Sequence, residues 1–68
     1  MFNELDIVKT NKDINLKIPK DTKGVIHQVY PDDPNLYLVE FMDNEDSIID
    51  IVEVSENDIF RIWENKAE

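Results

Sequence analysis

The 68-residue chain carries sixteen acids against seven bases, a formal charge of −9, with no cysteine and a single glycine. A chain this short makes one domain, residues 1–68, with a small core. The missing cysteines exclude disulfide staples and thiolate zinc sites, and the acid excess repels nucleic-acid phosphate and anionic lipid while attracting basic partners.

Met1 to Thr10 lacks the basic stretch and apolar run of a signal peptide, and no apolar run approaches the ~20 residues of a membrane span; a cytoplasmic location is expected. In chain order, Leu5–Thr10 reads as a first strand, rich in β-branched residues. A longer loop follows over 11–19. Lys20-Asp21-Thr22-Lys23-Gly24 reads as a tight polar turn whose glycine serves either a positive φ or a close backbone approach. Gly24–Tyr30 is the second predicted strand. Pro31 to Asn35 is a turn, with proline fixing φ and Asp and Asn capping. Leu36–Met42 is the third strand, with Tyr37, Val39 and Phe41 on one face as core and Leu38 and Glu40 on the other. Ile48–Val54 is the fourth, with Ile48, Asp50, Val52 and Val54 alternating with Ile49, Ile51 and Glu53. Ser55 followed three residues later by Asp58 has capping-box spacing and predicts one helical turn. Ile59–Trp63 closes the sheet, and Asn65–Glu68 is expected to fray. The expected fold class is all-β, a five-stranded antiparallel barrel or sandwich with Val8, Ile26, Val39, Phe41, Val52 and Val54 in its core.

The charge is uneven. Residues 1–23 hold five lysines against four acids, whereas Glu40 to Asp58 holds eight acids and no base. If the third and fourth strands pair, Leu38 can share a face with Ile49 and Ile51, rimmed by Glu40 and Glu53; an apolar patch with charged edges has the form of a protein-binding site. The loop over 11–19, or closure of the barrel, could instead cover that face, and the charge could serve solubility alone. The candidate partner-binding set is Leu38, Glu40, Asp43, Glu45, Asp46, Ile49, Ile51 and Glu53.

No catalytic chemistry is expected. Nucleophile, base and orienting group must lie within hydrogen-bond reach, and the chain offers only His27, inside a predicted strand, with Ser47 and Ser55. Asp43 to Val54 superficially resembles a calcium loop but has Ile48 at its glycine position and Val54 at its glutamate position. No metal or cofactor is expected, beyond weak cation binding by Asp43, Glu45 and Asp46. Lys17, Lys20 and Lys23 could form a local basic patch, but nucleic acid is disfavoured because most of the molecule repels phosphate.

Leu5-Asp6-Ile7-Val8, Gly24-Val25-Ile26-His27-Gln28-Val29-Tyr30, Tyr37-Leu38-Val39-Glu40-Phe41-Met42-Asp43 and Glu53-Val54 together resemble a family of short bacterial proteins known only as a domain of unknown function. Its pattern runs LDxV, GTVVxVY, YEVEFVD, and the resemblance spans residues 2–63. It implies a small SH3-like barrel, no assigned catalytic residues, and members that act as small partners encoded beside other proteins. The chain departs from the pattern at Leu38, usually polar, at His27, usually aliphatic, and in Asn44-Glu45-Asp46, which lacks the family's glycine. Two functional readings follow: an acidic antitoxin or immunity protein neutralising a basic partner, or a housekeeping docking module of a larger complex.

Overall fold

A computed structural model describes residues 1–66; Ala67 and Glu68, in the tail expected to fray, lie outside the described residues. Five antiparallel strands form one sheet: β1 (Ile7–Thr10), β2 (Lys23–Val29), β3 (Leu36–Met42), β4 (Ile48–Ser55) and β5 (Ile59–Trp63), in the order β4-β3-β2-β1-β5. A 3₁₀ turn, η1 (Glu56–Asp58), leads into β5. Ser55 caps it as the spacing predicts, accepting the Asn57 N–H at 3.3 Å while the Asp58 carboxylate accepts the Ser55 N–H at 3.3 Å. No helix among the described residues is long and apolar enough to cross a membrane.

The alternation of β3 sets the two sides of the sheet. Tyr37, Val39 and Phe41 are buried, and they meet Val8, Ile18, Ile26, Val54 and Ile59 in a single core. Val52 packs against this cluster while keeping some exposure. Gly24 sits opposite Phe41 in the ladder. Its φ is not positive; the close approach is what requires glycine, because a Cβ there would lie 2.5 Å from Val39 Cγ1 and 2.9 Å from Phe41 Cδ1.

Three features depart from the sequence reading. β1 begins at Ile7, not Leu5, because Leu5 adopts a left-handed φ of 70° that a strand cannot continue through. The loop over 11–19 is a structural part of the core: Asn15 Oδ1 accepts the Lys17 and Ile18 N–H groups, tightening a turn that buries Ile18 completely and leaves Leu16 at its tip in solvent. Thr10 and Thr22 lock the loop's return, both hydroxyls donating to the Pro19 carbonyl, at 2.8 and 2.6 Å. Asn65 is not frayed either; its N–H donates to Asp6 Oδ1 at 2.7 Å.

Asp6 is the buried charge of the fold. Its carboxylate is fully shielded from solvent and accepts from the Arg61 guanidinium at 2.8 Å, the Asn3 N–H at 2.7 Å and the Asn65 N–H. Burial pushes the carboxyl up, but the Asn3 and Asn65 N–H groups and Arg61 outweigh it and hold it below the ordinary aspartate value of 3.8. One side chain thus ties the segment before β1 to the end of β5.

Candidate functional site

Cross-strand partners in an antiparallel sheet share a face, so the register gives the composition of the outer surface. One row runs Ile51, Glu40, Val25, Ile7, Trp63 across all five strands. A second runs Ile48, Met42, Lys23, Lys9, Phe60. A third, shorter, runs Glu53, Leu38, Gln28. The central strands are half-buried at these positions, Gln28 excepted, whereas Ile48, Ile51, Phe60 and Trp63, on the two edge strands, are exposed. The loop over 11–19 does not spare the outer rows this exposure, because its apolar anchor Ile18 goes into the inner core.

The candidate residues separate into three groups. Leu38, Glu40, Ile51 and Glu53 are brought together: Leu38 pairs with Glu53 and Glu40 with Ile51, in adjacent positions of one hairpin face. Ile49 does not join them. The β3–β4 register shifts between Phe41 and Met42, so that Phe41 pairs with Asp50 but Met42 with Ile48. Ile49 is the extra residue of this bulge, and one extra residue reverses the facing of its neighbours. Ile49 therefore packs against the core, and Ile48, which strict alternation would set on the side of Val52 and Val54, is 60% exposed.

Asp43, Glu45 and Asp46 form the third group, in the β3–β4 turn. All three are exposed. Asp43 Oδ1 accepts the Glu45 and Ser47 N–H groups at 2.8 and 3.0 Å, an Asx-type turn that a glycine would otherwise provide. Asp46 takes a φ of 64° and its carboxylate pairs with Lys23. The turn is also flanked by a cleft that Lys9, Lys17, Lys20 and Lys23 line together with Asp43. The run without a base in sequence is thus met in space by lysines from the other end of the chain. Within the turn only Asp46 is ion-paired among the described residues, and Glu40 and Glu53 add two further carboxylates from the strands.

Glu53 carries one further contact, accepting the Tyr30 hydroxyl at 2.9 Å. His27, at the β2–β3 register shift, is exposed. Comparison with known proteins finds no matching family model, no similar curated protein and no similar solved structure.

Proposed function

We propose that the chain is a small acidic binding domain that docks a basic protein partner on the outer face of the β3–β4 hairpin, as an antitoxin or immunity protein does, and that it acts by binding rather than by catalysis. The observation that carries this reading is the juxtaposition of Leu38 and the exposed Ile51 with Glu40 and Glu53 on one face, in two strands that contain no base. Carboxylates of this kind speed encounter with a cationic surface, and the apolar side chains between them slow dissociation. The strand order and the 3₁₀ turn before β5 support a finer fold assignment, a small SH3-like barrel, and the chemistry of the surface is compatible with a cytoplasmic, nucleic-acid-free role. The experiment is affinity capture from the native host followed by stopped-flow kinetics on the captured partner. Glu40→Gln with Glu53→Gln is expected to slow association, with the difference shrinking as salt rises. Ile51→Ala is expected to speed dissociation, with the fold confirmed by circular dichroism. A partner whose two rate constants ignore both variants would place the interface elsewhere.

A further inference from the structure

A second surface, adjoining the hairpin face at Glu53, combines aromatic walls with negative charge. Phe2, Val29, Tyr30, Pro31, Pro34 and Tyr37 line an open hollow of about 430 Å³. Glu4 lines it as well, and among the described residues no lysine or arginine does. Two more carboxylates are fastened to its tyrosines: the Tyr30 hydroxyl donates to Glu53 at 2.9 Å and the Tyr37 hydroxyl to Glu56 at 3.1 Å. Asp32 and Asp33 stand in the turn between Pro31 and Pro34. Met1 lines the hollow too, and its ammonium stands 3.4 Å from Glu56. The aromatic cluster already accepts a cation from within the protein, since the Arg61 guanidinium lies 5.3 Å from the centroid of the Phe2 ring, which stands edge-on to Tyr37 at 5.2 Å.

We propose that this hollow is an anchor pocket for an arginine side chain of the basic partner, with the guanidinium over the Tyr30 ring and its N–H groups toward Glu53 and Glu4. Arginine is favoured over lysine because a planar, weakly hydrated guanidinium stacks on an aromatic face and matches carboxylate geometry, whereas an ammonium loses more hydration on leaving water. Val29, Pro31 and Pro34 offer apolar surface to the methylene stem of such a side chain. A neutral apolar side chain would gain the walls but leave the carboxylates without a counter-charge. The proposal rests on the reading of a basic partner only in naming where the arginine comes from.

The test uses the full chain and a free probe. N-acetyl-arginine methylamide is titrated into the ¹⁵N-labelled protein, with the lysine analogue and the uncharged citrulline analogue as comparisons. The expected result is weak, saturable binding of the arginine probe, with shift changes centred on residues 2–4, 29–34 and 37, weaker binding of the lysine analogue and none of citrulline. Tyr30→Ala and, separately, Glu53→Gln are each expected to weaken arginine binding about fivefold while leaving the rest of the spectrum unchanged. Citrulline binding as well as arginine, binding unaffected by both variants, or no shift at millimolar probe would each overturn the pocket. A captured partner that responds to Ile51→Ala but not to Tyr30→Ala would also overturn the pocket and leave the hairpin face standing. A pocket that takes the arginine probe in a protein whose captured partner ignores Ile51→Ala and Glu40→Gln, the hairpin changes that leave Glu53 intact, would do the reverse.

Discussion

Asp6 gathers donors from three directions, so its substitution exposes the balance between burial and pairing. Asp6→Asn keeps the shape but turns an amide donor toward Arg61 or a backbone N–H, and a broken buried pair costs on the order of 3–5 kcal/mol. Replacing Asp6 and Arg61 together by apolar residues is expected to cost less than Asp6→Asn alone, measured by urea denaturation. Because the folded carboxyl lies below 3.8, its contribution is present above the unfolded value and is lost as pH falls through the folded one, so Asp6→Asn is expected to flatten the acid side of the stability profile below about pH 4. Tyr37 acts at the other end. Its hydroxyl is pushed up by burial and by Glu56, against the Phe2 N–H, so its contribution is present below the ordinary tyrosine value of 10.0 and is lost as pH rises beyond it. Gly24 supplies a third residue-scale case. Gly24→Ala drives a Cβ into Val39 and Phe41 and is expected to cost ~1–3 kcal/mol, with part of that cost recovered when Val39→Ala is added.

At the scale of an element, the β3–β4 bulge reverses what simple alternation predicts for β4. Alternation places Ile48 with Val52 and Val54 in the core and Ile49 outside; the bulge does the opposite. Ile48→Lys is therefore expected to change stability by less than about 0.5 kcal/mol, whereas Ile49→Lys costs ~1–3 kcal/mol. Equal effects at the two positions would mean that β4 pairs in uninterrupted register. The loop over 11–19 offers a parallel contrast: Ile18→Ala is expected to cost ~2–5 kcal/mol and Leu16→Ala almost nothing, although both are apolar residues of one short loop.

For the molecule as a whole, the charge of −9 works against compactness even where individual ion pairs form. Among the described residues, three of the four ion pairs, Met1–Glu56, Lys12–Asp58 and Lys23–Asp46, have at least one well-exposed partner and contribute little; Asp6–Arg61 alone of the four has a fully buried one. Raising sodium chloride from about 0.02 M to about 0.5 M shortens the screening length severalfold. It is expected to raise the melting temperature, because repulsion among exposed carboxylates is relieved while the shielded Asp6 pair is screened much less. A melting temperature that fell with salt would mean that the exposed ion pairs outweigh the repulsion.

Much of the fold was legible in the sequence because it rests on local signals. The limits of β3 and β5, the capped turn between Ser55 and Asp58, the inward set Tyr37, Val39 and Phe41, and the need for glycine at 24 all follow from side-chain period, capping chemistry and the absence of a Cβ. The candidate site was legible in part: Leu38, Glu40, Ile51 and Glu53 share a face because pairing two neighbouring strands brings them there. What lay beyond reach depends on segments distant in the chain. The bulge that turns Ile49 inward is a property of the register between two strands, not of either one. Asp6 reads as a polar residue in a strand until Arg61, 55 positions away, closes over it. The acidic turn reads as uncompensated until β2 lays Lys23 beside Asp46. Charge and burial are sums over neighbours in space, and only the tertiary structure decides who those neighbours are.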